Sequence, residues 1–184
     1  MKRILWLFCI ISISSSAQKL GLKAGWNNSE LSGDAYSYFP SYHVGFFALF
    51  NLSENIKLSP ELLYSRQGAK VRDGEIPIDY INLPILVNIY EYKWLFLQIG
   101  GQVGLVTSAG VYSNGVGTDI KSSLKPIDAS LVGGFGFNFD RIIVNARYNW
   151  GIIDIVKPNP IAIIPRSDIT TSTAIQVSLA VVIN

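Results

Sequence analysis

Three features of this 184-residue sequence predict an all-β chain closed as an eight-stranded antiparallel up-and-down transmembrane β-barrel. Eight segments alternate apolar and polar residues with period two. Short and long connections alternate strictly between them. Charge is scarce: 15% of residues are charged and 49% are hydrophobic. A soluble domain ordinarily carries about 25% charged residues to cover its surface.

The first segment is not part of the barrel. "MKRILWLFCIISISSSAQ" opens on Lys2 and Arg3, continues with an apolar stretch from Ile4 to Ile13, and ends with Ser15 and Ala17 before Gln18. That is the pattern of a cleaved secretory signal peptide over 1–17, too short in its apolar part to span a bilayer. The barrel is expected over 18–184. Cleavage would remove Cys9, the sole cysteine, so disulfides and thiol chemistry are not expected. The net charge of +2 is matched by Lys2 and Arg3 alone. The mature chain is then nearly neutral, and no nucleic-acid partner is indicated.

The strands follow in order. "KLGLKAGWN" (19–27) sets Leu20, Leu22, Ala24 and Trp26 on one face. "YHVGFFALFN" (42–51) is apolar on both faces. "NIKLSPELLYSRQ" (55–67) sets Ile56, Leu58, Leu62 and Tyr64 against Lys57, Ser59, Glu61 and Ser65. "DYINLPILVNIY" (79–90) lies in a strand over 78–90, with Ile81, Leu83, Ile85, Val87 and Ile89 against Asn82, Pro84, Leu86 and Asn88. "WLFLQIGGQVGLV" (94–106), "IDASLVGGFGFNF" (127–139), "IIVNARYNWGI" (142–152) and "TAIQVSLAVVIN" (173–184) complete the set. Pro84 and Pro60 each remove a ladder N–H, so a bulge or a skipped bond is expected at each.

The connections at 52–54, 91–93 and 140–141 are tight. Those at 28–41, 68–77, 107–126 and 153–172 are long and rich in Ser, Gly, Asp, Asn and Pro. Tight turns at one end and large loops at the other match an outer-membrane barrel, with turns in the periplasm and loops outside. About five outward positions per strand give roughly 33 Å of strand, or about 25 Å of height at a tilt of about 40°. Trp26, Tyr42, Tyr64, Tyr80, Tyr148 and Trp150 gather near the loop end; Phe50, Tyr90, Trp94 and Phe139 gather near the turn end. They are expected to form two interfacial girdles.

In this register Lys23, Lys57, Glu61, Asp128 and Arg147 point into the lumen. Charges enclosed there must pair. The expectation is a structural network in which Arg147 neutralises Glu61 and Asp128. Lumenal glycines would make room for larger neighbours. "GGFGF" precedes no helix, so it is not a nucleotide motif. His43, the one histidine, has no second His or Cys to share a metal. No cofactor, metal centre or catalytic constellation is indicated.

"GLKAGWNNSEL", "SPELLYSRQGAK", "DYINLPILVNIY", "DASLVGGFGFNF" and "VNARYNWGI" together resemble the small outer-membrane β-barrel family of Bacteroidota often called PorT-like. The resemblance spans essentially the whole mature chain. The ending "AVVIN" lacks the terminal aromatic of many barrels. The resemblance implies a signal peptide, an outer-membrane barrel in contact with lipid, and a non-enzymatic scaffold or accessory role in type IX-like protein secretion, with envelope proteins as partners. The alternatives are a porin-like small-solute channel, a ligand-binding barrel, and a soluble exported carrier of lipocalin type, whose lumen would be apolar.

Overall fold

The computed structural model describes residues 19–32, 37–72, 74–113, 116–156 and 171–183. The expected signal peptide and most of the last long loop lie outside them. The strands are β1 (Lys19–Leu31), β2 (Phe39–Asn51), β3 (Ile56–Val71), β4 (Gly74–Tyr92), β5 (Leu95–Ser113), β6 (Val116–Asp119), β7 (Ile127–Phe139), β8 (Ile142–Gly151) and β9 (Ser172–Val182). All pairings are antiparallel, and β1 pairs with β9, so the wall closes. β6 pairs only with the far end of β5, which leaves eight strands in the barrel.

Register sets the shape. A circuit along paired residues leaves β7 at Asp128 and crosses Gly104, Asn82, Leu63, Gly45, Lys23, Ala180 and Ile143. It returns to β7 at Asn138, ten residues further on. A stagger of ten over eight strands gives a tilt of about 40° and a backbone diameter of about 16 Å, from ordinary strand spacings. Such a barrel is filled by its own side chains.

Alternation decides which residues fill it. Leu22, Val44, Phe46, Leu62, Leu83, Ile99, Leu131 and Leu179 are exposed on the outer wall. Asn27, Ser59, Asn82, Gln98, Asn145 and Gln176 are buried inside. A water-facing wall would reverse this.

The strands run further than their sequence suggests. β1 and β2 take up half of 28–41. The expected loop at 68–77 is instead a hairpin whose ladder continues to Val71↔Gly74. In 107–126, β5 continues to Ser113 and turns back through β6 into a 3-10 turn at Lys121–Ser123. Leu124 then bridges Val156. The tight turns are as short as expected. At the β7–β8 turn Asp140 takes φ 62°, a left-handed conformation that Asp tolerates.

Pro60 and Pro84 each fall in a gap of one ladder. β3–β4 pairing stops at Pro60↔Ile85 and resumes at Leu63↔Asn82, with Pro84 between. β2–β3 pairing breaks between Phe47↔Glu61 and Phe50↔Leu58, with Pro60 between. Register is unchanged across both gaps. The bulges lie elsewhere, between β4 and β5 at Asp79/Tyr80 and Tyr90/Tyr92.

Most of the named aromatics are on the outer wall. Trp26, Tyr42, Trp94, Phe139, Tyr148 and Trp150 are exposed, and Phe50 and Tyr64 are half-buried. Tyr42 and Tyr64 meet at 6.1 Å near the loop end. At the turn end Tyr92, Trp94, Phe137 and Phe139 form a stacked row, with successive centroids 5.8, 5.9 and 6.4 Å apart. Tyr80 and Tyr90 are corrections: both are buried in the lumen. They share the parity of Asn82 and Pro84, so alternation turns them inward.

Leu179, exposed on β9 between the two aromatic ends, tests the wall. Leu179→Arg is expected to destabilise the folded barrel by about 2–4 kcal/mol, the range for a charge on the lipid face at mid-depth. Reversible denaturant unfolding in phospholipid vesicles measures this. A loss below that range would mean that the position does not face hydrocarbon.

Candidate functional site

The lumen is built in three layers. At the turn end Phe47, Leu49, Tyr90, Phe96, Ile143, Ala180 and Val182 form an apolar plug. At the loop end a second apolar cluster joins Leu31, Ala69, Ile76, Ile78, Tyr80, Val106, Ala109 and Val111. Ile120, Leu124, Ile155 and Val156, from the segments before β7 and after β8, close over it. Lys125 N donates to Ile155 O at 2.8 Å and holds those segments together.

A polar layer lies between the plugs, centred on Glu61 of β3. Lys23 Nζ donates to Glu61 Oε1. Arg147 Nη1 donates to Glu61 Oε2 at 2.9 Å. All three side chains are buried, so one carboxylate serves two cations. Arg147 Nε then donates to Gln176 Oε1 at 2.7 Å, and Gln176 Nε2 donates to Asn27 Oδ1 at 2.8 Å. Asn27 Oδ1 also accepts from His43 Nδ1 at 2.6 Å. His43 therefore carries its proton on Nδ1, and its Nε2 accepts from the Ser178 hydroxyl at 2.8 Å. Asn27 Nδ2 donates to the carbonyls of Tyr42 and Arg66 at 2.9 and 2.8 Å, tying the network to the wall.

Glycine makes this packing possible. A Cβ at Gly25 would stand 2.6 Å from His43 Cε1, and one at Gly136 would stand 2.4 Å from Phe96 Cζ. Both distances are below any real Cβ contact, so the rings occupy space that a side chain would fill.

The structure thus brings Lys23, Glu61 and Arg147 together. It does not bring Asp128 or Lys57 to them. Gly134 lies opposite Arg147, and Asp128 is six residues from Gly134, about 20 Å along the strand. The expected neutralisation of Asp128 by Arg147 is therefore a correction. Asp128 is buried towards the loop end, and its Oδ1 has no hydrogen-bond partner among the described residues. Lys57 sits near the turn end with Nζ 4.6 Å from the Tyr90 ring centroid, a cation–π contact. Asn27, His43, Gln176 and Ser178 were not singled out from the sequence as members of a network. Their inward parity was the available signal, but their mutual contacts depend on register across strands remote in sequence.

The groups at the centre are already engaged with one another. Among the described residues no second carboxylate stands beside Glu61, and the Ser178 hydroxyl that donates to His43 Nε2 is itself buried in the lumen. Among the described residues, no group of three His, Cys, Asp or Glu could hold a metal ion.

An apolar outer wall, two aromatic girdles and a filled polar lumen define an integral outer-membrane β-barrel. The family model described as "Outer membrane protein beta-barrel domain" matches residues 15–157, and the chain belongs to that family. Among solved structures, Neisserial surface protein A is similar with a TM-score of 0.62 and 12% identity, covering 88% of this chain and 96% of that one. Ail, the attachment invasion locus protein of Yersinia pestis, is similar with a TM-score of 0.52 and 11% identity, covering 89% and 97%. At such identities the likeness shows the fold alone. The sequence comparison with curated proteins returned no match.

The network gives a second prediction. Glu61→Gln leaves two buried cations without their carboxylate and is expected to cost about 3–5 kcal/mol, the range for removing one partner of a buried pair. Lys23→Met keeps the Glu61–Arg147 bond and is expected to cost less. Unfolding midpoints of the two variants in matched detergent check the order; equal losses would mean that Glu61 is not the shared centre.

Proposed function

We propose that this protein is a non-enzymatic, non-conducting outer-membrane barrel that serves as a scaffold or accessory factor for protein secretion of the type IX kind. The observation that carries the non-conducting part is the layered lumen. Apolar plugs stand at both ends, and the charges between them bind each other. The same layering disfavours a solute channel. The charged centre and greasy outer wall disfavour a soluble lipid carrier.

The secretory role rests on the PorT-like resemblance of the sequence, as do the origin in Bacteroidota and the cleaved signal peptide over 1–17. The lumenal charges Lys23, Glu61 and Arg147 act in this reading as structural members. Partner contacts then fall to the loops and turns.

Two measurements test it. In planar bilayers the purified barrel is expected to produce no discrete conductance steps; steady ion currents would overturn the non-conducting reading. Affinity purification from native membranes is expected to recover secretion-machine components together with the barrel. Recovery of the barrel alone, in the SDS-resistant folded form, would leave a stand-alone surface role as the better reading.

A further inference from the structure

Above the loop-end girdle, the outer face of β3 and β4 stops being apolar. Arg66 on β3 and Asp79 on β4 are ladder partners. They stand one outward position loopward of the pair Tyr64↔Ile81. Their charged groups approach to 3.7 Å, Arg66 Nε to Asp79 Oδ1, without making a hydrogen bond. Beside them the bulge in β5 turns out an extra residue, Thr107, whose hydroxyl donates to Asp79 O at 3.0 Å. The end of β5 and the exposed strand β6 complete a cleft of about 240 Å³ lined by Arg66, Asp79, Ser108, Tyr112, Thr118 and Asp119.

Tyr112 is the platform of this cleft. Its side chain is half exposed, and it pairs with Gly117. A Cβ at Gly117 would lie 2.9 Å from its Cε1, and one at Gly110 would lie 3.1 Å from its Cε2. The ring therefore lies against the wall in space that two glycines leave free. An open aromatic face, next to carboxylates that accept from hydroxyls and a guanidinium that donates to them, is a side-chain set suited to a sugar. The ring takes the C–H face, and the charged groups take paired hydroxyls through charge-assisted hydrogen bonds. Two carboxylates against one guanidinium give the lining a negative balance, which disfavours a polyanion. The height of the cleft, immediately outside the aromatic girdle, is where lipid headgroups lie.

We propose that this cleft binds the uncharged sugar headgroup of a glycolipid in the outer leaflet. Barrels in phosphatidylethanolamine vesicles, with and without diglucosyl diacylglycerol, test it through the thermal unfolding midpoint. The glycolipid is expected to raise the midpoint of the native protein. The rise is expected to disappear in Tyr112→Ala and to weaken in Asp119→Asn, and to survive in Tyr112→Phe, which keeps the ring. Asp119→Asn lies on the exposed β6 and keeps an oxygen for the Lys121 N–H, so it guards against a variant that merely misfolds. No rise, or an undiminished rise in the alanine variant, would overturn the proposal. So would an equal rise with phosphatidylglycerol, which would mark binding by charge, or with free maltose, which would mark a soluble ligand.

Discussion

The pairing of β1 with β9 is the contact on which the rest depends. In hydrocarbon an unpaired backbone N–H or C=O costs several kcal/mol, and a sheet edge exposes a row of them. The β1–β9 ladder, from Gly21↔Val182 to Leu31↔Ser172, removes both edges at once. Closure with a stagger of ten then fixes tilt and diameter, and the diameter fixes the lumen. A tube about 16 Å across between backbones leaves room for side chains and little else. Inward polar groups therefore draw their partners from the other inward groups and from the carbonyls of the wall.

That demand explains the layering. A charge enclosed in a narrow barrel is costly unless paired, because the low dielectric that strengthens the pair also penalises a lone member. Glu61 between Lys23 and Arg147 meets the condition. The plugs strengthen it by keeping bulk water from the centre. The amide chain through Gln176 and Asn27 to His43 extends the same logic to neutral groups, with donors set against acceptors along it. Lys57 escapes the demand by lying near the turn end, where a Tyr90 ring suffices.

Within the membrane band the fold was legible because one rule governs it. Outward residues are apolar and inward residues are mostly polar or glycine, so period two marks most of the strands, while 42–51, apolar on both faces, supplies Phe47 and Leu49 to the turn-end plug. The contents of the lumen were legible as a set but not as contacts. Glu61 is 38 residues from Lys23 and 86 from Arg147, and only register brings them together. Asp128 shows the limit: it has the same parity as the lumenal charges, yet the stagger carries it towards the loop end. Tyr80 and Tyr90 show another limit, since position along a strand suggested a girdle while parity had already turned them inward.

Above the band the rule inverts, and this accounts for the strands that the sequence concealed. In β3, β4 and β5 the inward residues become Ala69, Ile76, Ile78, Val106, Ala109 and Val111, and the outward ones become Arg66, Lys70, Glu75, Asp79 and Ser108. That is the pattern of a water-facing sheet with an apolar interior. The bulge at Thr107 shifts parity by one residue, so that Val106 and Ala109 both face inward. Inversion and parity shift together erase the period-two signal, which is why 68–77 and 107–126 read as loops. The same inversion gives the wall a boundary. Below Arg66 and Asp79 an outward residue meets hydrocarbon and has almost no freedom to be polar. From that pair upward the outer face can carry charge, hydroxyls and an open ring. Specific recognition on the outside of this barrel therefore becomes possible at Arg66 and Asp79 and above, where the strands continue after the hydrocarbon ends.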